Sequence, residues 1–357
     1  MLTDENRVEN TLDAQSFDSH TARIVAFGCG GGGSNTITRL TEMDIKGAVT
    51  VSANTDARHL TISKAHKKIL IGKNLTRGLG AGGYPEVGEK AAEESKDQIR
   101  QVLEGCDLLF ITCGLGGGTG TGSAPVVAKY AKDLGSIVIA TVTIPFKIEG
   151  ARIHKAEDGL EKLRKYADTV IVIENQKLVE LAGKKPLKEA FAVADNLIAT
   201  MIKGISETIS QPSLVNLDYA DVRTIMKAGG VATIGVGDSS ATENRARDAI
   251  VKALSNPLLD VDYNGATGAL IQVIGGEDLR LDEIDAIGSI VAQNMNPEAL
   301  VMWGARVLPE FDGRLQVITV VTGVKSPFIL GRHDTSRLPD AAPRSRISKD
   351  LGIEVII

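Results

Sequence analysis

From Arg23 onward, short apolar runs alternate with longer stretches in which apolar side chains recur every three or four positions. The runs RIVAFG, AVTVSAN, DLLFITCG, SIVIATVTI and TVIVIEN have the length and β-branched content of buried strands. Between them, SNTITRLTEMD, residues 86–104, APVVAKYAKDLG and residues 155–166 carry a helical period. Such alternation predicts βαβ units around a parallel sheet. Residues 187–209 place apolar side chains at helical spacing from Leu187 through Phe191, Ile198 and Ile205 to Ile209, which predicts one long, largely buried helix ending near Ser210, Gln211 and Pro212. Beyond it, a helix over 219–228 and the runs VATIGVG, ALIQVIGG, ALVMWGARV and LQVITVVTGV predict a second α/β unit with a sheet of about four strands.

The pattern divides the chain into a polar arm (1–22), an α/β domain (23–186), a connecting helix (187–211), a second domain (212–324) and a tail (325–357). The tail, rich in Arg, Asp, Pro and Ser, is too polar to pack a core and is expected to be flexible, with apolar character returning in LGIEVII, Leu351 to Ile357. The start, MLTDENRVEN, is acidic where a signal peptide would be basic and then apolar, and no apolar run approaches the roughly 20 residues of a membrane span. A cytoplasmic protein is expected, with no insertion into a membrane. With 40 Lys and Arg against 45 Asp and Glu, the net charge of -5 gives no electrostatic reason to expect nucleic acid as a partner. Cys29, Cys106 and Cys113 cannot form a complete disulfide set and have no zinc spacing, so they read as buried thiols.

The 38 glycines carry the chemical clue because they cluster where strands end and helices begin, the edge at which open α/β sheets bind ligands. Gly28 and Gly30 to Gly33 follow the first strand and precede a helix expected to open with Ser34 and Asn35. Backbone without side chains at a helix N-terminus lets N–H groups approach phosphate oxygens. Alone, the motif matches a dinucleotide fold equally well, and Asp56 in NTD resembles its acidic ribose ligand. A second cluster, GLGGGTGTG over 114–122, is not called for by a dinucleotide fold; its Thr119 and Thr121 add hydroxyls to a nest of N–H donors suited to a polyphosphate. Two such loops point to a mononucleotide triphosphate, with a third loop, GLGAGG over 78–83, placed to close over the terminal phosphate. No GxxxxGK[ST] is present, which excludes a P-loop enzyme. Close packing remains the alternative reading of the second loop. From spacing alone, Phe191 and Asp195 read as core and solvated charge, and Asp218 and Asp221 as caps of the next helix.

GCGGGGSN, NTDA, GLGAGG, GGGTGTGSAPVVA, PFKIEG and NLDYADVRTIM occur in the order and spacing of the FtsZ family, the prokaryotic tubulin-like GTPases of the division ring, and the archaeal branch is similar. The resemblance covers about residues 23–324 and implies a tubulin/FtsZ-like two-domain α/β fold: a Rossmann-like parallel-sheet GTPase domain, a long central helix and a smaller α/β C-terminal domain.

The same resemblance implies the site. Gly31, Gly32 and Gly33 would line the α and β phosphates of GTP or GDP, Asn35 would reach the nucleoside, and Gly116, Gly117, Gly118, Thr119, Gly120 and Thr121 would hold the phosphates from the other side. Ala81, Gly82 and Gly83 resemble the loop that senses the γ phosphate, with Asp56 near it and near a magnesium ion held mainly by phosphates and water, so no side-chain metal cluster is expected. Glu149 and Arg152 resemble ribose and phosphate contacts; the family places its Arg four residues after the Glu, and a one-residue deletion would restore Arg152 to that role. Asn175 resembles the reader of the guanine edge. Phe191 and Asp195, one helical turn apart, resemble its stacking and hydrogen-bonding pair. Asp218 and Asp221, with Asn216 in support, resemble the acids that one subunit inserts into the nucleotide site of the next. The implied function is head-to-tail polymerisation into protofilaments of a cytokinetic ring at mid-cell, with hydrolysis at the subunit interface and Leu351 to Ile357 bound by a membrane-anchor protein. The alternatives are a tubulin-like filament for cell shape or DNA movement, a nucleotide-binding structural protein that does not hydrolyse, and a nicotinamide-dependent oxidoreductase.

Overall fold

The structure, a computed structural model, describes residues 22–211, 213–215, 217–228, 232–255, 266–293 and 295–324. The expected arm up to residue 21, the tail from 325 and the candidate Asn216 lie outside the described residues.

Six strands, β1 (Ile24–Cys29), β2 (Ala48–Asn54), β3 (Lys67–Leu70), β4 (Leu108–Gly114), β5 (Ile137–Ile144) and β6 (Thr169–Glu174), form an all-parallel sheet in the order β3-β2-β1-β4-β5-β6. Parallel strands need crossover connections, and helices supply them. These are α1 (Gly30–Glu42), α2 (Ala57–Ile62), α3 (Lys73–Thr76), α4 (Pro85–Glu94), α5 (Lys96–Leu103), α6 (Thr119–Asp133) and α7 (Ala151–Arg164). With helices on both faces, side chains of either parity are buried: Ile24 and Ala26 on one side of β1, Val25 and Phe27 on the other. That double burial explains why these strands read as continuous apolar runs.

After α8 (Asn175–Ala182), α9 (Leu187–Ser210) runs for 24 residues. Its Ala194, Ile198, Met201, Ile202 and Ile205 pack in one continuous core with Ile24 and Phe110 of the first sheet and with Ile234, Leu270 and Ile318 of the second. An ion-pair cluster adds to that junction: Glu207 of α9 meets Arg306 and Lys203, each at 3.0 Å, and accepts from the Lys46 N–H. The second unit contains α10 (Tyr219–Ala228), β7 (Ala232–Ser239), α11 (Arg245–Leu254), β8 (Ala266–Gly275), α12 (Leu281–Ala292), β9 (Met295–Val307) and β10 (Leu315–Thr322). Its four-stranded sheet has the order β7-β10-β8-β9, with β10 antiparallel to β7 and β8 and with β8 and β9 parallel.

Local details differ from expectation: α2, β3, α3 and α8 form where no element is expected, and three expected helices change their bounds. The first helix starts at Gly30 inside the glycine cluster, not at Ser34. Residues 86–104 form two helices, because Ser95 leaves helical geometry and its hydroxyl accepts the Gly72 N–H at 3.0 Å, tying the break to the end of the neighbouring strand. The helix expected near 155 begins at Ala151, directly after a turn at Gly150, which brings Arg152 into its first turn.

Candidate functional site

The strand order reverses between β1 and β4, the switch point at which two successive crossovers leave to opposite sides. A cavity of about 790 Å³ opens there, at the carboxyl ends of β1, β4, β5 and β6. Two helices start at its wall: α1, whose Gly31 and Gly32 line it, and α6, whose Gly118, Thr119 and Gly120 line it opposite. Neither helix has a side-chain N-cap or an acidic residue in its first turn. Two sets of first-turn N–H groups and two positive dipole ends therefore face one space, an arrangement that favours a multiply charged anion.

The glycines divide by task. A Cβ on Gly33 would stand 2.2 Å from the Thr112 carbonyl oxygen, so Gly33 serves the close approach of α1 to β4 and does not line the cavity. Gly116 sits at φ +91°, and its N–H donates to the Thr121 hydroxyl at 2.9 Å, which holds the loop from behind. By contrast, a Cβ on Gly117 would meet nothing within 4 Å, and one on Gly31 only the His59 ring at 4.0 Å. Packing thus explains Gly33 but not Gly31 or Gly117, whose bareness leaves room on the cavity side.

The far wall comes from α9 and the loop after β5. Phe191 is 38 % exposed and meets Phe146 edge to face, with ring centroids 5.7 Å apart. Asp195, one turn along, accepts a 2.7 Å hydrogen bond from the Thr36 hydroxyl of α1. Burial raises the Asp195 pKa above the ordinary aspartate value, partly offset by the Thr36 hydrogen bond and by Arg39. Glu149 is fixed twice, by the Phe146 N–H at 2.9 Å and by Arg152 at 2.6 Å, and both Glu149 and Arg152 line the cavity. Asn35 lines it from α1 and Asn175 from the start of α8.

Of the expected residues, Gly31, Gly32, Asn35, Gly117, Gly118, Thr119, Gly120, Glu149, Arg152, Asn175, Phe191 and Asp195 thus converge on one cavity. Ala81, Gly82 and Gly83 stand behind it: a Cβ on Gly118 would lie 2.8 Å from that of Ala81. Asp56 caps α2, accepting from the Arg58 and His59 N–H groups, and bridges Leu79 of the same neighbouring loop. Asp218 and Asp221 are remote. Their helix is anchored by Tyr219, whose hydroxyl donates to the Asp107 carbonyl at 3.1 Å, just before β4 begins, whereas the cavity lies where β4 ends. The two acids cap α10 reciprocally: the Asp221 N–H donates to Asp218 Oδ1 at 2.8 Å and the Asp218 N–H to Asp221 Oδ2 at 3.0 Å.

Sequence reasoning missed Thr36, Arg39, Glu42 and Lys188, which also line the cavity. A helical count would have found the last three, since Arg39 and Glu42 lie one and two turns after Asn35, and Lys188 one turn before Phe191. Thr143 and Pro145, at the end of β5, carry no comparable local signal. The three cysteines are free and buried, and burial pushes the Cys29 thiol up to about 12.

Residues 23–183 match the family model described as the GTPase domain of the Tubulin/FtsZ family, and residues 230–325 the FtsZ family C-terminal domain. The chain is 55% identical over 313 residues to cell division protein FtsZ 2 of Methanocaldococcus jannaschii, covering 87% of this chain and 82% of the relative. It is 52% identical over 310 residues to cell division protein FtsZ 1 of Archaeoglobus fulgidus, covering 87% and 84%. Among solved structures, an empty FtsZ dimer from M. jannaschii superposes with a TM-score of 0.79 at 51% identity, over 85% of this chain and 88% of that one. A GDP-bound CetZ1 monomer from Haloferax volcanii shares the fold, with a TM-score of 0.73 at 22% identity over 86% and 96%.

Proposed function

The chain belongs to the FtsZ family of tubulin-like GTPases, and on that premise we propose that the 790 Å³ cavity is its GTP site, completed for hydrolysis by Asp218 and Asp221 of the next subunit. The chain is a filament-forming GTPase of cell division. What supports the assignment of the cavity most directly is the pair of uncapped helix starts, α1 and α6, facing each other across it, with Phe191 and Asp195 on the wall beyond. Phosphates suit the helix starts; a purine suits the Phe191 ring; and an ionised Asp195 accepts from the guanine N1 and N2 hydrogens, which adenine cannot offer in that pattern. Glu149 and Arg152 are assigned to the ribose and phosphate side, and Asn35 and Asn175 to the nucleoside. Ala81, Gly82 and Gly83 are assigned to the γ-phosphate sensor, with Gly33, Gly116 and Thr121 shaping the loops. Among the described residues no group of three or more His, Cys, Asp or Glu side chains converges. In this reading a magnesium ion takes its ligands mainly from phosphates and water, with Asp56 nearby.

The placement of the acids supports hydrolysis between subunits. β4 has seven residues, about 20 Å of strand, and separates the Tyr219 anchor at one end from the cavity at the other. That separation supports the reading in which Asp218 and Asp221 act on a neighbour's nucleotide and orient the attacking water. Their reciprocal cap engages one oxygen of each, Asp218 Oδ1 and Asp221 Oδ2, and the second oxygen of each takes no part in it. A cavity face meeting an acid face is a heterologous contact, which propagates into a filament. The proposal extends to a ring at mid-cell, to an anchor protein bound through Leu351 to Ile357, and to the domain limits 23–186, 187–211 and 212–324. The division role, rather than cell shape or DNA movement, is supported by relatives of about 50% identity that are named cell division proteins.

The test is GTP hydrolysis per molecule against protein concentration, with magnesium and with ATP and NAD as controls. A threshold followed by a rising specific rate is expected; a flat rate overturns the shared site. Asp221→Ala should lower the rate by roughly 100-fold or more while leaving GTP binding to the monomer intact, at a cost of about 1 kcal/mol in stability from the lost cap.

A further inference from the structure

The loop behind Gly118 is built largely from residues without side chains. Gly80, Gly82 and Gly83 stand at φ +90°, +59° and +77°, and a Cβ on Gly80 or Gly83 would meet nothing within 4 Å. Backbone conformation, not packing, therefore calls for glycine at those two positions. Glycine also loses more conformational freedom on ordering than any other residue, so holding this loop in one shape is costly.

Few contacts offset that cost. The Gly80 N–H donates to the Thr55 carbonyl at 3.1 Å, and the Tyr84 N–H donates to the Ala81 carbonyl at 3.0 Å. Between them, the N–H groups of Ala81, Gly82 and Gly83 find no acceptor among the described residues, which leaves three successive donors for an anion. Among the described residues, a single hydrogen bond reaches 81–83 from outside the loop: the Lys155 ammonium donates to the Gly83 carbonyl at 2.8 Å. The same ammonium lies 5.4 Å from the centre of the Tyr84 ring, within cation–π range.

Lys155 stands on α7, one turn after Arg152, which lines the cavity. That helix is itself well fixed. A Cβ on its Gly159 would stand 2.4 Å from Thr121 Cγ2 of α6, and its Lys162 pairs with Glu89 of α4 at 2.8 Å. α4 follows the loop directly, and the loop lies against the start of α6, where a Cβ on Gly118 would be 2.8 Å from the Tyr84 nitrogen. Lys162 thus meets a counter-charge, whereas Lys155 meets a carbonyl and a ring and so holds the loop itself.

We propose that Lys155 is a positioning residue that sets the preference of the site for a nucleoside triphosphate over a diphosphate. It acts through the loop and does not touch the nucleotide. With the Gly83 carbonyl and the Tyr84 ring held, the three free N–H groups keep one arrangement before any ligand arrives. A terminal phosphate then finds its donors in place, and a diphosphate does not extend to them. The apparent affinity for the triphosphate scales with the fraction of molecules whose loop is in that arrangement, so losing the ammonium lowers triphosphate affinity and spares diphosphate affinity. The inference rests on the assignment of Ala81, Gly82 and Gly83 to the γ phosphate, and adds what holds that loop.

The experiment measures affinities for GDP and for a non-hydrolysable GTP analogue by displacement of a fluorescent guanine nucleotide. It uses the full chain with magnesium, below the protein concentration at which specific hydrolysis begins to rise. Lys155→Met keeps the length of the side chain but not its charge, and should weaken the analogue roughly fivefold to tenfold, with GDP unchanged within about twofold. Lys155→Arg keeps a donor and a cation and should restore the parent ratio, while Tyr84→Leu, which leaves the carbonyl bond, should fall between. Equal weakening of both nucleotides by Lys155→Met would assign the residue a general structural role and overturn the inference. Gly82→Val, which strains the loop directly, separates this inference from the reading beneath it. If Gly82→Val erodes the preference and Lys155→Met does not, the role of Lys155 falls and the γ-phosphate loop stands. If neither changes the ratio, the loop assignment falls and the inference falls with it.

Discussion

Two cavities of nearly equal volume, about 790 and 750 Å³, divide the chemistry of this chain between them. The first stands at the end of a parallel sheet, where every strand delivers a helix N-terminus to the same edge, and α1 and α6, neither of them capped by a side chain, start at its wall. The second stands beside a sheet in which only β8 and β9 run parallel, and its α12 turns a flank, not an N-terminus, toward the space. Volume does not separate a site for a charged ligand from an apolar trough. What separates them is how many unpaired backbone donors the topology collects, since only such donors bind charge without moving a side chain into place. The mixed sheet instead leaves, among the described residues, an outer edge of β9 that is bridged only at Ala305.

Four substitutions should sharpen this contrast. Gly117→Val, at a position where a Cβ meets nothing, should leave stability almost unchanged and weaken GTP binding by about 100-fold or more; retained affinity in a nucleotide titration would break the assignment. Gly33→Ala should do the reverse, losing about 2 to 3 kcal/mol of stability in denaturant unfolding, because its methyl group would collide with the Thr112 carbonyl. Asp195→Asn keeps an acceptor for Thr36 but not the second acceptor that guanine needs, and should cost GTP roughly 10- to 100-fold in affinity. Its pH dependence has a defined sign. Because burial raises the Asp195 pKa in the folded state, the native protein holds this proton longer than the unfolded chain, so the nucleotide-free protein loses stability as pH rises from the ordinary aspartate value through the raised one. Asp195→Asn removes that loss, so its melting temperature should exceed that of the parent at neutral pH and converge with it in acid. The smallest effect is expected from Gly288→Val in the second cavity, which should leave GTP binding unchanged and alter only Trp303 emission.

The elements were legible wherever the signal is local. Apolar runs located nine of the ten strands, the short and half-charged KKIL of β3 being missed, and the long period after Leu187 located α9 with its end at Ser210. Reciprocal capping by Asp218 and Asp221 was legible for the same reason, since a cap needs only three residues of spacing. Breaks set by distant partners were not legible: Ser95 interrupts a helical pattern because Gly72, more than twenty residues away, donates to its hydroxyl. Within the site, Thr36 was missed because its role depends on Asp195, 159 positions away.

The sequence by itself determined where the glycines cluster, most of the segments that are strand or helix, and, through motif resemblance, the family. Those are properties of backbone conformation and short-range spacing, which each segment carries regardless of its neighbours. Only the tertiary structure decided which glycines face the cavity and which face a carbonyl, since Gly33 and Gly117 are indistinguishable until β4 is brought against one of them. It alone showed that Asp218 and Asp221 lie at the other end of β4 from the cavity, and that Val215 bridges Ala305 of β9. Distances between elements arise from packing, and packing is a property of pairs of segments that no single stretch of sequence contains.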